Sequence, residues 1–236
     1  MALPEISTVI SSSSLDAAAV APPPPMDVPT ERIPHILQQL GALSRFTGPT
    51  GVPFLDGLYD LDATAVYYRF LFRLVQALAP QLIVELGVCT ARGTAHMAAA
   101  AGEAVIVAVD PSPMDIGPIL QRYPRIHWLK DLSCSPAVLD AVPDGSVDLC
   151  FIDTLHEYDL VSRETRMWLP KMKRGGIMVF DDLTLNDGMR KFWDELTLPK
   201  VALPWLHFSG FGIALAYPPD LQERGKKETE LEHVAG

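Results

Sequence analysis

Short, unbroken apolar runs punctuate the middle of this chain, and each stops at a glycine or an acid. The runs are 82–86, closed by Gly87; 104–109, closed by Asp110; 126–130, closed by Asp131; 147–152, closed by Asp153; and 176–180, closed by Asp181 and Asp182. Strands of this length without polar alternation are covered on both faces, as in parallel sheets. Helical patterns fall between them. Tyr67, Phe70, Leu71, Leu74, Val75 and Leu78 share one helical face that ends at Pro80, with Asp62 as a candidate cap. Further helices are expected at 94–101, at 158–168 and at 187–196, and two strand-like stretches follow at 201–206 and 211–217. The expected fold is α/β, a doubly wound and mostly parallel sheet.

Composition narrows the function classes. A chain of 236 residues can build a substantial core. With 19 Lys+Arg against 29 Asp+Glu, the net charge of −10 argues against non-specific nucleic-acid binding. The three cysteines, Cys89, Cys134 and Cys150, form no CxxC pair, so neither a disulfide scaffold nor a zinc site is expected, and a reducing cytoplasm is the simpler setting. No apolar run reaches membrane-spanning length, and the first arginine is Arg32, too late for a signal peptide's basic region. Residues 1–30, with serine and proline runs, read as a flexible tail. Residues 31–61, rich in Gly, Pro and aromatics (Phe46, Phe54, Tyr59), read as a lid or helical segment; 62–220 form the core, and 221–236 a charged tail.

In doubly wound sheets ligands bind beyond the carboxyl ends of the strands. Acids recur there: Glu85, Asp110, Asp131, Asp153, Asp181 and Asp182. After the first strand the chain reads Glu85-Leu86-Gly87-Val88-Cys89-Thr90, where Gly87 allows close approach of a ligand. Asp110 is placed to accept both hydroxyls of a ribose, and Asp131 and Leu132 to flank a base. The dinucleotide fingerprint GxGxxG is absent, which disfavours the alternative of a nicotinamide-dependent oxidoreductase. This Glu-x-Gly turn followed by an acid-ended second strand resembles the S-adenosylmethionine site of class I methyltransferases, although Ala91 stands where that family usually has a third glycine. The resemblance implies Glu85, Gly87, Thr90, Asp110, Asp131 and Leu132 as cofactor contacts.

A second constellation follows the fourth and fifth strands: Asp153, His156, Asp181 and Asp182. Asp181 and Asp182 converge only if the strand ends and turns between them, because successive strand residues face opposite ways. Two like charges about 4 Å apart repel by about 4 kcal/mol at an effective dielectric near 20, so three carboxylates either protonate or recruit a cation. Hard oxygens suit Mg²⁺, Mn²⁺ or Ca²⁺ rather than a soft metal, and Mg²⁺ or Mn²⁺ is the expected ion. A neutral His156 would suit a general base near pH 7. The bland readings are His156 as decoration of the following helix and Asp182 as a helix cap. Tyr158, Trp168 and Phe192 are read as core and His96 as packed or solvated, while His35, His127, His207 and His233 carry no spacing signal.

"FIDTLHEYDLV" followed by "KRGGIMVFDD" resembles metal-dependent small-molecule O-methyltransferases, above all the macrolide-sugar type and the related cephalosporin-hydroxylase-like group. The resemblance implies a seven-stranded Rossmann-like sheet with an antiparallel C-terminal strand. It also implies Asp153, Asp181 and Asp182 as metal ligands and His156 as base. The expected activity is methyl transfer from S-adenosylmethionine to a hydroxyl of a sugar, polyketide or phenol, in natural product biosynthesis. A non-catalytic, S-adenosylmethionine-binding regulator is the other alternative. No nucleic-acid or membrane partner is expected, and the N-terminal segment is a candidate for homo-oligomer contacts.

Overall fold

The computed structural model describes residues 32–60 and 66–216. The two expected tails and the Asp62 cap lie outside the described residues. In chain order the elements are α1 (Ile33–Leu43), α2 (Pro53–Asp60), α3 (Val66–Leu78), β1 (Leu82–Leu86), α4 (Arg92–Ala100), β2 (Val105–Val109), α5 (Gly117–Arg122) and β3 (Ile126–Leu129). They continue with α6 (Pro136–Ala141), β4 (Val147–Ile152), α7 (Tyr158–Trp168), β5 (Met172–Asp181), α8 (Asp187–Glu195), β6 (Lys200–Ala202) and β7 (Phe211–Leu215). One seven-stranded sheet has the order β3-β2-β1-β4-β5-β7-β6. Every pairing from β3 to β5 is parallel, and β7 runs antiparallel to both β5 and β6. This is the expected doubly wound sheet with an antiparallel C-terminal strand.

Alternation along the strands divides the core into two layers. Ile83, Ile106, Leu149, Phe151, Ile177 and Val179 pack with Phe70, Leu71 and Leu74 of α3 and with Ala95 and Met97 of α4. Val84, Leu86, Val107, Cys150, Ile152, Met178 and Phe180 pack with Val138 of α6, Val161 and Trp168 of α7, and Phe192 of α8. Both faces of the sheet are thus covered, which is why its strands lack polar alternation. Trp168 and Phe192 are core as expected, whereas Tyr158 lies at the edge and gives its hydroxyl to Glu195 at 2.5 Å. No helix among the described residues is long and apolar enough to cross a membrane.

Within the expected lid or helical segment, residues 32–60 carry the two helices α1 and α2. Leu40 and Leu55 bury themselves in the first core layer, so this segment is fastened to the sheet domain. Its link to the functional end of the sheet is Trp205, whose indole N–H donates to Oγ (3.0 Å) and to the carbonyl oxygen (3.3 Å) of Ser44. The Arg45 guanidinium lies 3.8 Å from the Trp205 ring centroid.

The strand order reverses between β1 and β4. The carboxyl ends of these two strands are joined there by the Asp153 N–H donating to Leu86 O at 2.8 Å, and Gly87 N–H reaches Val109 O at 2.9 Å. Gly87 has φ +84, and a Cβ built on it would lie 1.9 Å from the Asp153 carbonyl oxygen. Its glycine is required first by the neighbouring backbone.

Candidate functional site

The β1–α4 loop is shaped from two directions. Asp110, just past β2, accepts from the backbone N–H groups of Val88 (2.9 Å) and Cys89 (3.1 Å) through one oxygen and from Ser112 N–H (2.8 Å) through the other. Both oxygens expected to accept ribose hydroxyls are thus already engaged by the backbone of the surrounding loops. From below, Glu85 is 1% exposed, accepts from the Thr94 hydroxyl, and packs against Gly93. Burial pushes its carboxyl up to about 8 in spite of that hydrogen bond. Glu85 thus acts on the loop from inside the fold. Thr90 sits half-buried on the same loop. Ala91 adopts φ +56, the left-handed conformation a glycine would take without strain, and begins α4 from it. Asp131 ties its own loop together, accepting from Leu132 N–H at 2.7 Å and Ser135 Oγ at 2.9 Å, and Leu132 projects outward at 64% exposure.

The acids after β4 and β5 meet at the same end of the sheet, with histidines between them. β5 ends at Asp181, and Asp182 turns away with φ +58, the turn required for the two carboxylates to converge. His156 Nε2 lies 2.9 Å from Asp182 Oδ2 and 3.3 Å from Asp153 Oδ1. His207, from the β6–β7 connection, donates Nδ1–H to Asp181 Oδ1 at 2.8 Å and lies 3.4 Å from Asp182 Oδ1. The Ser209 hydroxyl donates to that same Asp182 oxygen. Two groups result, Asp153-His156-Asp182 and Asp181-Asp182-His207, each with ligand atoms within 4.8 Å of one another and Asp182 common to both. The expected set of three carboxylates is thus interleaved with two imidazoles.

Electrostatics follow from this interleaving. Burial alone would lower His156, but hydrogen bonds to Asp153 and Asp182 and their charges raise it to about 10. Without a divalent ion it is an imidazolium near neutral pH, not the neutral base expected from its ordinary value. His207 is likewise raised: Asp181, Asp182 and Asp153 outweigh its burial. Burial lifts Asp181 to about 6 against the pull of His207. Burial also acts to raise Asp182, yet its hydrogen bonds from His156 and Ser209 prevail and hold it below the usual carboxylate range.

The bland readings of these residues fail for visible reasons. Asn186, not Asp182, caps α8, its side chain accepting from Met189 N–H at 2.9 Å. Glu157 occupies the cap position of α7 and makes no side-chain cap bond, while His156 turns to the acids. The Asn186 amide also donates to His156 O at 2.8 Å, which fixes the 153–157 loop against α8. His96 is packed rather than solvated, 1% exposed and stacked on Tyr68. Two site residues escaped the sequence reading. His207 lies far along the chain from any motif, and only the antiparallel return of β7 beside β5 brings it to Asp181. Tyr67 reads as one more apolar position of α3, yet its ring centroid is 4.9 Å from that of His207. Burial, then the charges of Asp153 and Asp181, push the Tyr67 hydroxyl far above its ordinary value, so it remains a neutral donor.

Comparison with known proteins places this architecture. Residues 84–183 match the family described as "Methyltransferase domain". A 96-residue stretch is 30% identical to the uncharacterized protein y4gI of Sinorhizobium fredii; it covers 39% of this chain but only 10% of that protein's length. Among solved structures, a proposed caffeoyl-CoA O-methyltransferase of Staphylococcus aureus superposes with a TM-score of 0.58 at 11% identity, over 78% of this chain and 100% of that one. The SAH-bound methyltransferase PaMTH1 of Podospora anserina gives 0.54 at 15% identity, over 91% and 96% of the two chains. At these identities the structural likeness carries the fold, and the family match carries the domain type. Residues 84–183 thus match the methyltransferase family model, and the chain shares the Rossmann-like fold of these solved methyltransferases.

Proposed function

We propose that this domain transfers the methyl group of S-adenosylmethionine to a hydroxyl oxygen of a small molecule, with a divalent cation held at the Asp182 turn. The observation that carries this reading is the shared position of Asp182, in a left-handed turn, between two carboxylate–imidazole groups at the carboxyl ends of β4 and β5. The donor chemistry fits a hard ion such as Mg²⁺ or Mn²⁺: carboxylate oxygens dominate, and Asp181 is 2% exposed, its proton affinity raised chiefly by burial and then by the charges of Asp153 and Asp182. Asp153, Asp181 and Asp182 would hold the ion. When bound, it would supply Lewis acidity that makes the acceptor hydroxyl easier to deprotonate.

The chain's own residues then have distinct tasks. Gly87 and the loop up to Thr90, shaped by Asp110 and underpinned by Glu85, would receive the cofactor, with Asp131 and the outward Leu132 on its base side. His156 keeps its proton because Asp153 and Asp182 accept it. Once those oxygens are engaged elsewhere, Nε2 loses both acceptors and can take the proton of the acceptor hydroxyl. Tyr67 and His207 wall the site beside Asp181. The protein's contribution is alignment of oxygen, methyl and leaving sulfur, not a covalent intermediate. A cation-free reaction with His156 as base is disfavoured, since in that state the ring already carries its proton.

The rim of the site favours one acceptor type. The exposed large apolar side chains among the described residues are Phe46, Met114, Leu132, Leu155, Leu185, Trp205 and Phe208. All but Phe46 lie on loops at the carboxyl ends of the parallel strands, and Leu155 and Phe208 are direct chain neighbours of His156 and His207. Apolar residues gathered around a charged centre suit an acceptor with an apolar or aromatic body and adjacent oxygens, a phenol or polyketide rather than a free sugar. The test is titration of Mn²⁺ and of S-adenosylhomocysteine into the full chain and into Asp182→Asn. The variant should lose Mn²⁺ affinity at least about tenfold while binding S-adenosylhomocysteine as before. Equal Mn²⁺ binding in both proteins would remove Asp182 from the site.

A further inference from the structure

Behind the acidic site, α7 buries a carboxylate that the reaction itself does not use. Glu164 is 0% exposed. Its Oε1 accepts from the Ser133 hydroxyl and its Oε2 from the Thr154 hydroxyl at 2.8 Å. One helical turn on, Trp168, also 0% exposed, donates its indole N–H to Ser133 O at 2.9 Å. Removing a carboxylate from water costs several kcal/mol, and Val161 on the same buried face shows that an aliphatic side chain meets the packing need. The acid therefore has a task that packing alone does not explain.

Its two partners lie in different loops. Ser133 follows Asp131 and Leu132 after β3, in a loop made rigid by the Asp131 bonds to Leu132 N–H and Ser135 Oγ. Thr154 stands between Asp153 and His156 after β4. One carboxylate thus spans the loop assigned above to the cofactor's base and the loop that carries the acid and histidine of the reaction. The hydroxyls have no slack: each sits one or two residues from a side chain the reaction needs. We propose that Glu164 is a positioning residue that joins these loops, so that cofactor seated on Asp131 and Leu132 orders the Asp153–His156 segment for the acceptor. This rests on the cofactor reading of the 131–135 loop.

Hydrogen–deuterium exchange on the full chain, with and without S-adenosylhomocysteine, tests the link without metal or turnover. In the unmodified protein the ligand should slow amide exchange in 131–135 and also in 154–157, the latter by about fivefold, the equivalent of one net hydrogen bond. Thr154→Val, which keeps the side-chain shape and removes the hydroxyl, should retain the first effect and lose the second. Ser133→Ala cuts the link from the other end and should do the same. Glu164→Gln, whose amide can still meet both hydroxyls, should preserve the slowing at 154–157. Undiminished slowing there in Thr154→Val and Ser133→Ala, or slowing confined to 131–135 in the unmodified protein, would overturn the proposal and leave the cofactor reading standing. Ligand binding with no slowing at 131–135 would instead overturn the cofactor reading, and the coupling with it.

Discussion

At the scale of single residues, the site is a competition of three carboxylates for the protons of two imidazoles. His156 sits between Asp153 and Asp182 in the position a cation would neutralise. His156→Ala should lower turnover by about 10²–10⁴-fold, the usual worth of a positioned acid–base group, while S-adenosylhomocysteine affinity stays within about twofold. Calorimetric titration beside steady-state rates separates the two quantities, and loss of cofactor affinity would assign His156 to the wrong task. The same contacts set a pH dependence of stability. His156 is raised from 6.5 to about 10, so its contribution is complete below pH 6.5 and disappears as pH climbs to 10. Glu85, raised from 4.5 to about 8, erodes stability over the lower interval in the same direction, because the unfolded chain ionises first. The melting temperature of ion-free protein should therefore fall between pH 6.5 and 10, and His156→Ala should flatten the upper part of that slope. A slope unchanged by the substitution would show that the two acids do not grip the ring. Ala91 makes a different case. Its left-handed backbone costs about 1–2 kcal/mol, against which glycine adds roughly 0.5–1 kcal/mol of chain entropy and loses a buried methyl worth about 0.8 kcal/mol, so Ala91→Gly should leave the urea midpoint nearly unchanged.

At the scale of elements, what could be read in advance was what repeats locally. The five apolar runs became β1 to β5, with β1 and β4 at their expected bounds and β5 extended back to Met172. Burial on both faces imposes that signal on the sequence, so it survives without tertiary knowledge. Short helices without a full apolar stripe, α5 and α6, gave no such signal; each is six residues long with a proline in its first turn. Asp153, His156, Asp181 and Asp182 were legible because their elements end beside one another. His207 was not, because its place depends on β7 pairing with β5 in a register that sets Asp181 opposite Phe211. The proton on His156 was hidden for a related reason: its value depends on two acids whose distances no spacing rule supplies. The junction of β1 and β4 offers a direct test at this scale. A methyl group on residue 87 would penetrate the Asp153 carbonyl, backbone against backbone, at a positive φ. Gly87→Ala should therefore destabilise by more than about 2 kcal/mol in urea unfolding and disturb both loops together.

At the scale of the whole molecule, the sheet separates a plain end from a chemical one. The exposed large apolar residues gather on the loops at the strands' carboxyl ends, above the charged centre. Solvent does not favour such exposure, and it is the basis for the apolar acceptor proposed above. Phe208 is the sharpest instance: 81% exposed, its ring centroid 4.7 Å from that of His207, it stands beside the site without belonging to the core. Phe208→Ser removes apolar contact area and leaves the carboxylates and the β1–α4 loop untouched. If an apolar acceptor body lies against this ring, its loss should raise KM for a phenolic acceptor by about tenfold, in keeping with about 1.5 kcal/mol for a partly buried aromatic side chain, with kcat and cofactor affinity nearly constant. A free-sugar acceptor, whose hydroxyls gain little from an aromatic edge in that position, should show almost no change. Measuring both acceptor types on the variant therefore discriminates the two classes on one protein. A KM unchanged for the phenol would place the acceptor on the other side of His156, toward Leu155 and Leu185.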